Sequence, residues 1–186
     1  QVSHRNGLRL PVAEIADLAR ARGVDVILDA AHAWGQVDFR LPELGCDFVG
    51  LNAHKWIGAP IGVGVLFIRK DRVEAIDPFM GSDEYSEGDV RRRVHTGTSN
   101  MAAYLALEDA LDFHEATGAA AKEARLTWLR RRWTEPLRDV GGIELLTPED
   151  DRLGSALAGF RLAGRADGPS NVALSKALLE RYDIFT

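Results

Sequence analysis

Two charged residues, each set just past an apolar run, are the ones whose type and placement could do chemistry. Lys55 stands in LNAHKWIGAP directly after CDFVGLN, and Asp29 closes VDVILD. Lysine is ordinarily a surface residue. At the carboxyl end of a buried strand it faces the edge of an open α/β sheet, which is where such sheets bind ligands. An ammonium partly withdrawn from water there has its pKa lowered, and the free amine can attack a carbonyl to form a Schiff base. Asp29, past the end of a neighbouring strand, would face the same crevice. Taken singly, both residues stay ambiguous. Lys55 could be a lysine snorkelling to water from a strand end, and Asp29 could cap the turn that follows it.

A sheet must carry these two residues, and the chain supplies the alternation for one. Pro11 followed by Val12, Ile15, Ala16 and Ala19 has helical spacing, and Gly23 is placed to stop it, giving a helix near 11–22. Residues 24–28 and 48–51 read as short buried strands ending in Asp29 and Asn52, the alternation of a parallel sheet. Residues 62–68, GVGVLFI, form a third strand too close to the second for a parallel crossover, so it returns antiparallel. Residues 77–88 read as a long surface loop. Helices are expected near 100–116 and 119–139, the second kinked at Pro136, with Trp133 in the core beside Leu126, Leu129 and Leu137. Strands at 143–146 and 158–162 and a last helix after Pro169 complete a smaller α+β region.

Composition narrows the function. With 46% hydrophobic and 27% charged residues the chain has the balance of a soluble globular protein. Its 23 Lys and Arg against 28 Asp and Glu leave a net charge of -5, so no electrostatic footprint for nucleic acid or an anionic membrane is expected. The runs Arg91-Arg92-Arg93 and Arg130-Arg131-Arg132 read as solvated faces. No apolar run approaches the roughly 20 residues of a membrane helix. The single Cys46, at a strand start, reads as buried packing and fits a reducing, cytoplasmic compartment. The abrupt opening Gln1-Val2-Ser3-His4 and the strand-like ending Asp183-Ile184-Phe185-Thr186 read as those of a fragment.

DAAHAWGQ after one strand, NAHKW after the next and HTGTSN before a helix resemble the class V aminotransferases among the fold-type I pyridoxal-phosphate enzymes, in their isopenicillin N epimerase-like branch. The resemblance extends over LRLPVAEIADLARARGV, LPELGCDFVGLNAHKWIGAPIGVGVLFIR and AAYLALEDALDFHEATG. It implies an α/β fold-type I architecture: 1–118 as part of the large mixed-sheet, cofactor-binding domain, and 119–186 as part of a smaller α+β domain. It also implies pyridoxal 5'-phosphate as cofactor, a small-molecule amino substrate, no metal, and a homodimer with a shared active site. Residue by residue, Lys55 matches the Schiff-base lysine that also shuttles the α-proton, and Asp29 the carboxylate that pairs with the protonated pyridine nitrogen. His32 matches the position that hydrogen-bonds the ring's phenolic oxygen, with a plain core histidine as the alternative. Asn52 and His54 match phosphate contacts, and Thr98 matches the residue reaching the phosphate of the neighbouring subunit, with helix capping by Thr98 or Ser99 as the alternative.

The implied reaction is an epimerisation, transamination or elimination at an amino-bearing carbon. His95 stands where related desulfurases usually carry arginine, so the substrate's anchor is unassigned. A cysteine desulfurase of the same family needs a nucleophilic cysteine late in the chain, and none follows Cys46. A non-catalytic scaffold of this fold would be marked by loss of the lysine or the aspartate, and both are present. A nucleotide-binding α/β domain would need a Gly-rich loop between strand and helix, and neither G-x-G-x-x-G nor GxxxxGK[ST] occurs.

Overall fold

The computed structural model describes residues 1–78, 85–94, 97–165 and 167–186. Within the expected loop 77–88, residues 79–84 lie outside the described residues, as do His95 and Thr96. The chain divides into two compact units, one of Gln1–Val2 and Leu10–Lys122, the other of Ser3–Arg9 and Glu123–Thr186.

The first unit opens with α1, Val12–Arg20, which buries Val12 and Ala16 and is ended by a turn into Gly23 at φ +66. It leads to β1, Ile27–Asp29, shorter than the expected 24–28. The reason is Asp47: its Oδ2 takes the N–H of Val26 at 2.7 Å, and its own N–H and that of Phe48 both turn to the Val26 carbonyl. That carboxylate is buried and compensated by Arg69 at 2.8 Å. β1 is also less buried than its apolar sequence predicts, since only Leu28 faces inward and Ile27 is 80% exposed. It has one strand neighbour, β2 at Phe48–Asn52, and among the described residues no strand pairs with its other edge, where the Gln1 amino group donates to the Asp29 carbonyl at 2.6 Å.

β1 and β2 run parallel with Asp29 opposite Gly50, and β3, Gly64–Ile68, returns antiparallel with Gly64 opposite Asn52. Cys46 is buried at 3% exposure before β2, and burial pushes its thiol up, away from the reactive thiolate. α2, Met101–Thr117, packs Ala103 against Ala53, Ala59 and Val63, with Trp34, Leu107 and Ala110 closing the cluster. These small side chains let the helix lie close to the turn that carries Lys55. α3, Ala119–Leu137, begins in this unit and runs on into the second. Pro136 falls in its last turn, so the proline ends the helix and no interior break is needed.

In the second unit β4, Ile143–Leu145, pairs antiparallel with β5, Phe160–Leu162, and α4, Gly168–Tyr182, starts at Asp167, whose carboxylate accepts the N–H of Ser170 at 2.8 Å. Ser3–Arg9 belongs here although early in sequence: the Arg9 N–H donates to the Leu153 carbonyl at 2.8 Å, and Arg9 pairs with Glu123 at 2.8 Å. Two expectations change. Trp133 remains 38% exposed, edge-on to Phe160 with ring centroids 6.0 Å apart, so it walls a groove and is not core. Arg130 is not solvated but 5% exposed, held by Asp151 at 2.9 Å and seated against Gly154, where a β-carbon would collide with it. Arg91 does stay exposed, paired with Asp89 at 2.6 Å.

Candidate active site

The site grows from two turns that leave neighbouring strand ends. The first follows β1. The Asp29 carboxylate accepts the N–H of Ala31 at 2.9 Å, and the Ala30 N–H continues the parallel pairing by donating to the Gly50 carbonyl at 2.9 Å. Asp29 therefore does both things its position allows. One oxygen fixes the turn, while the carboxylate as a whole stays exposed at the sheet's edge, with lone pairs left for a cation. Beyond it the turn tightens through Ala33 and Trp34, whose N–H groups both donate to the Ala30 carbonyl. Gln36, at 1% exposure, folds its amide back to donate to the His32 carbonyl.

The second turn follows β2. The Ala53 N–H bonds the Val63 carbonyl at 3.1 Å and the Ala59 N–H bonds the Ala53 carbonyl at 3.0 Å, which closes residues 53–59 into a loop with Lys55 at its outer side. Buried Ala53, Ile57 and Ala59 anchor that loop, and Gly58 at φ +85 lets it reverse. The two turns meet at Gly35. A β-carbon there would stand 2.7 Å from the Trp56 carbonyl carbon and 2.9 Å from the Ile57 nitrogen, so only glycine permits the approach.

This packing places the Lys55 nitrogen 3.1 Å from Nε2 of His32. Asp29 and Asn52 stand at the ends of adjacent strands, and His54, beside the lysine, keeps Nδ1 buried with no hydrogen-bond partner among the described residues. Thr98 is exposed in the segment before α2, and no described contact joins it to Lys55 or His32. Neither Thr98 nor Ser99 caps that helix. Asn100 does, its side-chain oxygen accepting the Ala103 N–H at 3.4 Å. Lys55 is exposed among the described residues, where the sequence leads one to expect a side chain partly withdrawn from water.

The donor set fits pyridoxal 5'-phosphate. It offers an accessible primary amine, a carboxylate at a strand end suited to a pyridinium, and an imidazole nitrogen at His54 that is withdrawn from water with its hydrogen-bonding capacity unspent. Gly35, Gln36 and the His54 orphan are what a reading of residue types misses. The glycine has a signal in its place directly after a bulky tryptophan, whereas the burial of a glutamine has none.

Comparison with known proteins bears on the family and the fold. The family model described as Aminotransferase class-V matches residues 1–180. An isopenicillin N epimerase from Streptomyces clavuligerus is 34% identical over 96% of this chain and 48% of its own length. A probable cysteine desulfurase from Xylella fastidiosa is 28% identical over 88% of this chain and 41% of its own. Among solved structures, the apo cysteine desulfurase from Thermococcus onnurineus NA1 superposes with a TM-score of 0.81 at 25% identity, covering 99% of this chain and 47% of that one. The chain spans about half the length of the curated relatives it matches.

Proposed function

The chain belongs to the class-V aminotransferase family, whose fold is fold-type I and whose cofactor is pyridoxal 5'-phosphate, and from that premise we propose that it is part of an enzyme acting at the amino-bearing carbon of a small amino substrate. When bound, the cofactor withdraws electrons from that carbon and makes its proton removable. Lys55 is the residue to hold the cofactor covalently, Asp29 the carboxylate to face its ring cation, and His54 with Asn52 the donors toward its phosphate. His32 orients the Lys55 nitrogen through the 3.1 Å contact, so the amine, when free, is directed as the base that takes a proton and returns it. Return to the same carbon from the other face would be an epimerisation, and delivery across the nitrogen to the carbon the cofactor contributes would be a transamination. The similarity to isopenicillin N epimerase supports the first form.

In this reading the first unit is the cofactor-binding part and the second belongs to the smaller domain. Thr98, exposed at the entry to α2, is assigned to the phosphate of a partner copy, which makes the active form a homodimer. A desulfurase reading draws on the similarity to desulfurases and needs a nucleophilic cysteine, a role not assigned to Cys46, which is buried.

The observation that carries the proposal is the Lys55 nitrogen poised against His32 at the end of a strand adjacent to that of Asp29. Its test is borohydride reduction of the full-length protein after incubation with pyridoxal phosphate. The label is expected on the peptide holding Lys55 and absent from Lys55→Ala; a protein that takes up no cofactor, or carries it on another lysine, sinks the reading.

A further inference from the structure

Behind the loop that carries Lys55 lies a second lysine that the site does not use. Lys122, in the first turns of α3, is half-buried, and its ammonium donates to the main-chain carbonyl of Trp56, the residue immediately after Lys55. Burial holds this ammonium below the usual lysine range. Close by on α2 is His114, whose Nδ1 is buried with no hydrogen-bond partner among the described residues and whose imidazole is held down by burial and then by the Lys122 charge. A charge kept in such a place is not there for stability, because an apolar side chain of similar length would fill the space without the desolvation cost. The carbonyl it holds is the same one that Gly35 approaches from the other turn: a β-carbon at 35 would stand 2.9 Å from its oxygen. The Trp56 peptide is therefore fixed by contacts from two sides, a backbone packed against it and an ammonium bonded to its oxygen.

We propose that Lys122 is a positioning residue for Lys55. By holding the Trp56 carbonyl, it fixes the Trp56–Ile57 peptide one residue beyond the lysine and with it the path of the loop at Lys55, and so directs the Lys55 nitrogen at His32. Gly35 limits where the peptide can go, and Lys122 selects one orientation within that limit. This rests on the reading of Lys55 as the attachment residue.

The test compares full-length wild type, Lys122→Met and Lys122→Arg in two independent ways. Amide hydrogen exchange on the cofactor-free proteins reads the loop directly. Exchange at Ala59, whose N–H closes the loop onto Ala53, is expected to quicken about tenfold in Lys122→Met, the size of one charge-assisted bond, and to return in Lys122→Arg. Equilibrium dialysis against pyridoxal phosphate, with the pH midpoint of the visible absorbance, reads the consequence. Lys122→Met is expected to bind about tenfold more weakly and to move that midpoint by about half a unit, again with rescue by arginine. Unchanged exchange at Ala59 with unchanged cofactor affinity overturns the proposal, as does a methionine defect that arginine fails to rescue. Should Lys122→Met not fold, Lys122→Gln, which keeps a donor without the charge, decides by the same measurements. A wild type that binds no pyridoxal phosphate would defeat the reading of Lys55 instead, while the exchange comparison would still judge Lys122.

Discussion

The side-chain nitrogens of Lys55 and His32 lie 3.1 Å apart although they leave the ends of two different strands. An ammonium has no lone pair to offer, so opposite a protonated Lys55 the His32 Nε2 must be the acceptor and its proton must sit on Nδ1. When Lys55 is a free amine the direction can reverse. The pair can thus pass a proton between two states without moving heavy atoms, as the proposed removal and return of a proton requires. Resemblance implies a ring oxygen as the partner of His32, and the structure adds its contact with the lysine.

Asp29 separates two duties that a substitution can take apart. Asp29→Asn keeps a side-chain oxygen to accept the Ala31 N–H, while Asp29→Ala removes both that bond and the charge. Asn is expected to hold unfolding stability within about 1 kcal/mol of wild type, since only the charge is lost from an exposed side chain. Both variants should bind pyridoxal phosphate roughly 10- to 100-fold more weakly, the worth of one charge-assisted bond. Dialysis and urea denaturation measure the two effects; an Asn variant with wild-type cofactor affinity would remove Asp29 from the site.

Two glycines with the same backbone conformation distinguish strain from contact. Gly35 and Gly58 have φ of +88 and +85, but a β-carbon at 35 meets the Trp56 backbone at 2.7 Å whereas at 58 it meets nothing within 4 Å. Gly58→Ala bears only the conformational cost of about 1–3 kcal/mol. Gly35→Ala adds a collision with backbone that cannot give way, so it should destabilise more and also displace Lys55. Equal unfolding midpoints for the two variants would show that the turns do not depend on each other.

Most of the element order was legible because periodicity and punctuation agree. Gly23 and Pro169 mark helix limits, and GVGVLFI falls too soon after its neighbour to cross over in parallel, whereas the cap before α2 is Asn100 and neither Thr98 nor Ser99. What was not legible depended on side chains reaching across the fold. Asp47 takes the N–H of Val26 and shortens β1, Arg130 finds a seat where Gly154 has no β-carbon, and Ser3–Arg9 joins strands far along the chain. For the candidate site, Lys55 and Asp29 stand out in the sequence because they follow strands, and His32 only through its match to a family motif. Gln36 and Lys122 do not, since each acts on a carbonyl, and a carbonyl leaves no trace in a sequence.

Thr98 and Asn100 lie two residues apart before α2 and should fail differently. Asn100 caps the helix, so Asn100→Ala is expected to cost about 1 kcal/mol of stability. Thr98 makes no cap, and Thr98→Val should leave the thermal midpoint unchanged while weakening pyridoxal phosphate binding, if its hydroxyl serves a partner's phosphate. Mixing Thr98→Val with Lys55→Ala chains provides the check: in a shared site the hybrid dimer has one lesion-free centre and one with both. In an equal mixture about half the dimers are hybrids, so recovery of cofactor to about a quarter of the wild-type level supports the assignment, and no recovery contradicts it.

His114 makes stability depend on pH with a definite sign. Burial first, and then the Lys122 charge, hold its imidazole below the ordinary 6.5, against smaller opposing effects of Glu115 and Asp38. Between that lowered value and 6.5 the unfolded chain binds more protons than the folded one, so stability rises with pH across the window. The neutral imidazole's contribution is complete above 6.5 and is lost as the pH falls through the folded value. Carboxylates titrate over part of the same range, but they are common to wild type and His114→Gln. The difference in urea midpoint between these two proteins therefore isolates the histidine, and it should shift in favour of the glutamine variant as the pH is lowered from about 7 to about 5. A difference that stays flat over that interval would mean that His114 is protonated as easily in the folded chain as in the unfolded one, and that Lys122 exerts no field upon it.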